Sequence, residues 1–236
     1  MKKAVIIGAT SGIGRELAKV LSADGYIVGI TGRRLQLLEQ LKDELSNQTF
    51  IKPLDVSNES AISDLQNLID EMQGVDIVVI SAGTGSIDPE LPWEKEKETI
   101  ETNVLGFAAM ANVAYHHFQQ KDTGHLVGIS SIAAIRGGGA PAYNASKAFV
   151  SNYLQGLRYI IEKSNNNIVV TDVQPGFVDT PMAQGEGLFW VASPQKAAAQ
   201  IYGAIKKKKK HVYVTKRWRL IGWVLKVMPD ILYNKL

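Results

Sequence analysis

Ala4-Val5-Ile6-Ile7-Gly8-Ala9-Thr10-Ser11-Gly12-Ile13-Gly14, close to the start of the 236-residue chain, is the stretch on which the architecture turns. Four apolar, mostly β-branched residues predict a buried strand, and the spacing over residues 15–21 predicts a helix just beyond the glycines. A strand that turns through glycines into a helix aims the helix's free N–H groups at an anion, and no Cβ blocks the approach of a phosphate. Gly8 is expected to make the tight turn, Gly12 the close approach to a pyrophosphate, and Gly14 the close packing of helix on strand, with Thr10, Ser11 and Ile13 completing the loop. The spacing is GxxxGxG and not GxGxxG, and taken alone it also suits a plain glycine-rich loop.

The same alternation repeats outward. Strand-like runs occupy 4–7, 27–31, 50–54, 76–80, 125–130, 168–173 and 212–215, and between them apolar residues recur three or four apart, as in Leu35, Leu38, Leu41 and Leu45. This pattern predicts βαβ units around a parallel sheet. Runs such as Ile77-Val78-Val79-Ile80 are apolar without alternation, so helices should cover both faces. No repeat or linker interrupts the chain before residue 205. Residues 1–205 therefore read as one core built on the glycine turn, and 206–236 as a basic segment carrying the last strand and an amphipathic helix, within the same domain or appended to it.

Composition removes several chemistries. The chain is 45% hydrophobic and 21% charged, which suits a globular fold and excludes disorder and fibres. It has no cysteine, so thiol nucleophiles, redox pairs and disulfides are excluded. Its four histidines, His116, His117, His125 and His211, lack metal-site spacing, and no metal is expected. The apolar stretch 220–228 contains Lys226 and is far shorter than the roughly 20 residues a membrane span needs. The basic start Met1-Lys2-Lys3 imitates a signal peptide, but Gly8 and Arg15 interrupt the apolar run too early, and the expectation is a cytoplasmic protein. The net charge of +3 hides an asymmetry: from Lys206 onward ten Lys and Arg face one acid, Asp230, giving a tail of +9 on a body of −6.

Two further segments carry chemistry. The second strand ends Ile30-Thr31-Gly32-Arg33-Arg34, without the Asp or Glu that would bind a ribose 2′-hydroxyl of NAD. Guanidinium groups suit a 2′-phosphate, so Arg33 and Arg34 favour NADP(H) over NAD(H), unless they simply begin the next helix as solvated residues. After the fifth strand come Ser130-Ser131, then Gly137-Gly138-Gly139, then Tyr143-Asn144-Ala145-Ser146-Lys147 at the start of a helix. Tyr143 and Lys147, four apart, share one helix face. An ammonium beside a phenol favours the phenolate, which should bring a group of pKa about 10 toward working pH.

With these segments in view, the chain resembles the short-chain dehydrogenase/reductase family. The matching motifs are the 8–14 turn, Asp55-Val56, Ser81-Ala82-Gly83, Asn103, Ser131, Tyr143 with Lys147, and Pro175-Gly176 followed by Thr180, in the family's order over about residues 1–185. The resemblance implies a Rossmann-type, doubly wound, mostly parallel seven-stranded sheet in one domain. It implies a hydride transfer between NADP(H) and a carbonyl or secondary alcohol, with Tyr143 as general acid/base and Ser131 on the substrate oxygen. Lys147 would lower the Tyr143 pKa and hold the nicotinamide ribose, and Asn103 would anchor a water of the proton path. Asp55 and Val56 would meet the adenine, Ala82 and Gly83 the adjoining ribose, and Pro175, Gly176, Val178 and Thr180 the nicotinamide side. A homo-oligomer, dimer or tetramer, is also implied.

The chain departs from the family twice. Ile80-Ser81-Ala82-Gly83 stands where Asn-Asn-Ala-Gly is common, and the serine-to-tyrosine interval is twelve residues from Ser131 where thirteen is usual. Ser130 would restore thirteen, but strand alternation aims it away from Ser131. Ser131 is therefore kept and the missing residue assigned to the triple-glycine loop.

Residues 182–190, Met182-Ala183-Gln184-Gly185-Glu186-Gly187-Leu188-Phe189-Trp190, read either as a substrate lid or as packing at the domain edge. In the tail, Trp218, Leu220, Ile221, Trp223, Val224 and Leu225 mix with Lys216, Arg217, Arg219 and Lys226, as in a helix that docks on protein or lies on an anionic bilayer. Protein contact is preferred, and nucleic acid is not expected because no binding module surrounds these residues. The rival to an enzyme is a non-catalytic dinucleotide-binding or membrane-associated scaffold of the same fold.

Overall fold

β1 (Lys3–Ile7) lies near the middle of a seven-stranded sheet, and the chain builds outward from it in both directions. The computed structural model describes residues 1–164, 166–183 and 188–234. From β1 the chain forms α1 (Gly12–Ala23), β2 (Ile27–Gly32), α2 (Leu35–Glu44) and β3 (Thr49–Pro53). It then crosses through α3 (Ala61–Glu71) to β4 (Ile77–Ile80) on the other side of β1, and continues by α4 (Trp93–Ile100), α5 (Phe107–Lys121), β5 (Thr123–Ile129), α6 (Pro141–Ser164), β6 (Asn167–Pro175), α7 (Pro194–Lys206) and β7 (His211–Val214). The order is β3-β2-β1-β4-β5-β6-β7, with every neighbouring pair parallel. The topology reverses between β1 and β4, where the carboxyl ends of strands in such sheets open a ligand crevice.

Alternate residues of the central strands enter opposite layers. Val5, Ile7, Val78 and Ile80 pack with residues of α3, α5 and α6, including Leu65, Phe107 and Leu154. Ala4, Ile6, Ile77 and Val79 pack with residues of α1, α2 and α7, including Leu17, Leu38 and Ile201. Both faces are covered, which explains unbroken apolar runs in place of alternation. Each fully buried Val, Leu, Ile or Phe contributes about 1.5–3 kcal/mol.

Two features differ from the sequence reading. The helix around Asn103 is not continuous: a π-helical turn, Glu101–Gly106, separates α4 from α5. The basic tail is also not one cluster. β7 pairs with β6 as the sheet's edge, so the lysine run 206–210 sits at the amino end of the strands, while α8 (Trp218–Val227) and α9 (Asp230–Tyr233) follow at the carboxyl end. The four residues of β7 span about 13 Å. At the amino end the lysines meet body acids, Lys210 pairing with Glu162, and Lys206 with Asp24 at 3.9 Å. Lys235 lies outside the described residues.

Gly14 fixes the seat of α1 on β1, because a Cβ there would stand 2.2 Å from the Gly8 carbonyl oxygen. Gly14→Ala must push the helix off the strand, and urea unfolding is expected to show a loss of about 1–3 kcal/mol. An unchanged midpoint would contradict this packing role.

Candidate active site

The crevice at the carboxyl end of the sheet is a cleft of about 640 Å³. Its floor is the glycine turn. Gly8 has φ +90°, and a Cβ there would lie 2.5 Å from the Ala82 nitrogen, so the turn and the loop after β4 touch backbone to backbone. Gly12 has φ +56° and faces the Thr180 methyl, which a Cβ would approach to 2.9 Å. The first-turn N–H groups of α1 have no intrahelical acceptor, and the N-cap Ser11 makes no side-chain cap. Bare N–H groups in a cradle that a Cβ would fill fit the pyrophosphate of a dinucleotide.

Thr10, Ser11, Ile13, Asp55, Val56, Ala82, Gly83, Pro175, Gly176 and Val178 all line this cleft. Gly14 does not, because it is the packing contact of α1. The Asp55 carboxylate is committed to its own turn, accepting from the Ser57 hydroxyl at 2.7 Å and the Ser57 N–H at 3.1 Å. At the end of β2 the Arg34 guanidinium donates to Thr10 Oγ1 at 2.7 Å and Ser11 Oγ at 3.3 Å. One cation and two hydroxyls thus converge beside the turn. Arg33 also lines the cleft, and its guanidinium stands 3.9 Å from Glu98.

Opposite the turn, the start of α6 presents Tyr143 and Lys147. Gly85 makes room for the phenol: a Cβ there would come within 2.4 Å of Tyr143 Cδ2. Lys147 Nζ is 5.7 Å from the Tyr143 ring centroid and donates to the Ile129 carbonyl at 3.0 Å. Ser131 accepts from Ala133 N at 3.1 Å, starting a single 3₁₀ turn, and its hydroxyl is hydrogen-bonded with Tyr143. Ser130 points the other way, donating to the Asp172 carboxylate and to the Val173 carbonyl at 3.0 Å.

Asn103 stands behind the wall of the cleft, only 1% exposed. Its Oδ1 accepts from Thr84 N at 2.8 Å, and its Nδ2 donates to Thr84 O at 2.7 Å and to Ser146 Oγ at 2.9 Å. Ser146 in turn donates to the Tyr143 carbonyl at 2.8 Å. The Asn103 side chain joins the loop after β4 to α6.

Charge in the site differs from expectation. Burial pushes the Tyr143 phenol above its ordinary 10, and the hydrogen bond with Ser131 opposes this. Lys147, its ammonium 5.7 Å from the ring centroid and bonded to backbone, does not reverse that direction. Burial brings Lys147 down to about 8, against the Asp172 charge, which favours the ammonium.

Asp172 escaped the sequence reading. On β6 and 1% exposed, it accepts from the Ser130 and Ser151 hydroxyls, with Gln174 Nε2 at 3.5 Å and His211 Nε2 at 4.0 Å. The signal was a lone acid inside an apolar strand, Val169-Val170-Thr171-Asp172-Val173. Arg136 was missed as well. It donates to the Met228 carbonyl at 2.5 Å, pairs with Asp230, and lies 4.4 Å from the centroid of the Tyr233 ring. Tyr233 donates to the Gly137 carbonyl at 2.5 Å. The tail thereby holds the loop between Ser131 and Tyr143, whose other end Asn144 fixes by donating to Ala133 O and Arg136 O.

The 182–190 segment combines both readings made of it. Met182, Ala183 and Leu188 line the cleft, while Phe189 stacks on Trp218 at 5.1 Å and Trp190 meets Trp218 edge-on at 6.2 Å. Gln184, Gly185, Glu186 and Gly187 lie outside the described residues. Among the described residues no cluster fits a metal ion, and no helix is long and apolar enough to cross a membrane.

Comparison with known proteins gives this cleft its class. The family model for short chain dehydrogenases matches residues 2–188, and the chain belongs to that family. An uncharacterized oxidoreductase of Myxococcus xanthus is 38% identical over 188 residues, covering 77% of this chain and 74% of that protein. The NADP-dependent 3-hydroxy acid dehydrogenase YdfG of Escherichia coli K12 is 33% identical over 179 residues, 74% of this chain and 71% of that protein. Among solved structures, a short-chain dehydrogenase from Sphingobium yanoikuyae in complex with NADPH aligns with a TM-score of 0.82 at 22% identity, covering 94% of this chain and 92% of that one. A serine dehydrogenase complexed with NADP+ aligns at 0.80 with 26% identity, covering 89% and 92%. The protein is thus an oxidoreductase with a single-domain Rossmann-type fold that acts on a small-molecule substrate with a nicotinamide dinucleotide.

The depressed lysine makes stability pH-dependent in a defined sense. Between about 8 and 10.5 the unfolded chain holds a proton on Lys147 that the folded protein has released, so this residue's contribution to stability rises with pH across that window and is least favourable below it. Comparing urea unfolding of the native protein and Lys147→Met should show a difference that moves toward the native protein as pH rises from 7 to 10. A difference flat with pH would contradict the burial argument.

Proposed function

We propose that the protein is an NADP(H)-dependent carbonyl reductase or alcohol dehydrogenase in which Tyr143 is the general acid/base. The observation that carries this reading is the convergence of Tyr143, Ser131 and Lys147 on one cleft that also holds the glycine turn. NADP(H), when bound, supplies or accepts the hydride. A phenol with a raised pKa is protonated at neutral pH, which suits donation to the oxygen of a carbonyl under reduction; in alcohol oxidation the same oxygen takes the proton back. Ser131 Oγ would donate to that substrate oxygen as charge builds on it. Lys147 would keep a cation beside the phenol and meet the nicotinamide ribose, and Asn103 would act as a positioning residue through Thr84 and Ser146.

Preference for NADP(H) is supported by Arg34 with Thr10 and Ser11, a donor set matched to a 2′-phosphate, with Arg33 alongside. The names of the Escherichia coli relative and of two structural neighbours carry the same cofactor. A carbonyl or secondary-alcohol substrate would enter between Leu188 and the loop after β4. Exposed Leu105, Tyr159 and Ile160 support a homo-oligomer. We take residues 206–236 as part of the catalytic domain, because β7 and the Arg136 contacts tie them to it. We place the protein in the cytoplasm, where a reductase would meet the NADPH pool.

Tyr143→Phe is expected to lower NADPH-dependent turnover by about a hundredfold or more on any ketone, aldehyde or 3-hydroxy acid the native protein converts, with NADPH affinity unchanged. Full turnover by that variant would overturn the assignment. Binding of NADPH with no turnover across the whole panel would favour the scaffold reading. Arg34→Ala should weaken NADPH by about ten- to a hundredfold and NADH by about threefold or less, measured by fluorescence titration. Equal losses would defeat the phosphate argument.

A further inference from the structure

α8 is apolar on two sides, and only one of them is used. Trp218 and Gly222 face the body: Trp218 lies against Gly176, where a Cβ would be 1.9 Å from the indole, and Gly222 packs against Tyr213 and Ile135. On the opposite side Leu220, Trp223 and Val227, at spacings of three and four, are 62%, 62% and 59% exposed. Ile231 and Leu232 of α9 are exposed as well. Lys216, Arg217, Arg219 and Lys226 border this stripe, and Asp230, the one acid of the tail, is drawn into the pair with Arg136. The groove between Trp190 and Trp223 is lined by three of these cations and no acid among the described residues.

We propose that this outward face of α8, together with Trp190, binds the surface of an anionic lipid bilayer. The charge decides the occupant. A second copy meeting this face about a two-fold axis would set the same cations against one another, since such an interface is self-complementary only if its charges are mixed. A surface of negative headgroups over hydrocarbon matches both features at once: the cations meet phosphates, while the leucine, valine and indole side chains enter the interfacial layer. The ten-residue helix is about 15 Å long and would lie along the surface. The lysine run, at the other end of β7, takes no part. α8 follows the carboxyl end of the sheet, so the docking face lies at the same edge as the cleft.

The test is co-sedimentation of the full-length protein with vesicles of phosphatidylcholine alone and of phosphatidylcholine with about a third phosphatidylglycerol. Binding is expected to the mixed vesicles only, and should weaken as salt rises toward about 0.5 M. Leu220→Ser/Trp223→Ser and Arg217→Glu/Arg219→Glu should each reduce the bound fraction by on the order of tenfold, with melting temperature and NADPH binding preserved. Replacing Lys206–Lys210 by serine should leave it unchanged. Trp223→Ser alone should abolish most of the blue shift in tryptophan emission that mixed vesicles produce in the native protein. The proposal is overturned by no pelleting at low salt, by equal pelleting with neutral vesicles, or by pelleting that only the lysine-run variant removes. A native dimer that the α8 variants dissociate, without vesicle binding, would instead assign the face to a second copy.

Discussion

The carbonyl of Ile7 accepts two hydrogen bonds, from the N–H groups of Ser81 and Ala82, each at 2.8 Å. Through that oxygen the end of β1 is tied to the start of the loop after β4, and Gly8 and Ala9 are tied on the other side to the Thr31 carbonyl of β2. Three strand ends thus meet at one point. Gly8 has no Cβ because that point has no room for one, and the groups that line the cleft are hung from it: Arg34 from β2, Gly83 and Gly85 from the loop after β4, and the open end of α1 from the turn. Buried strands on either side make the point rigid. A cleft set at a topological reversal is therefore a by-product of how the sheet is wound, and the chemistry needs only side chains of the right kind at its rim.

Much of this was legible in the sequence because it is periodic or local. Short, largely β-branched runs located all seven strands to within a residue or two, and Tyr143 and Lys147 were placed on one face by helical spacing alone. The choice of Ser131 over Ser130 followed from strand alternation, and the two side chains do diverge. The sequence was silent where the deciding contact is distant along the chain. The Asn103 amide is held by Thr84 and Ser146, 19 and 43 residues away. The π-helical turn that carries it has no composition of its own. Asp172 depends on Ser130 and Ser151, neither adjacent to it. The direction of the Tyr143 pKa could not be read from a four-residue spacing, because burial outweighs the neighbouring ammonium and burial is a property of the whole fold.

The tail shows how a charge count misleads when it is taken along the chain and not in space. Ten basic residues after position 205 look like one patch, yet β7 divides the nine described ones between opposite ends of the sheet. At the amino end Lys206 and Lys210 answer acids of the body, and at the carboxyl end Arg217 and Arg219 stand beside Trp223 and Leu220 with no acid in that groove among the described residues. Helix α8 docks on its own body through Trp218, as the preference for protein contact anticipated, but that contact uses one face only.

The Arg136 contacts also bear on how such a protein can diverge. The family pattern ends near residue 188, while the strut that holds the loop between Ser131 and Tyr143 comes from residues 225–233. Arg136 satisfies two tail carbonyls and a tail carboxylate, and Tyr233 returns a hydrogen bond to Gly137. The loop between Ser131 and Tyr143 and the tail that braces it thus form a single structural unit. Either half transplanted alone into a sister protein would bring an unpaired guanidinium or an undocked helix, so recombination at residue 188 would separate parts that must be kept together.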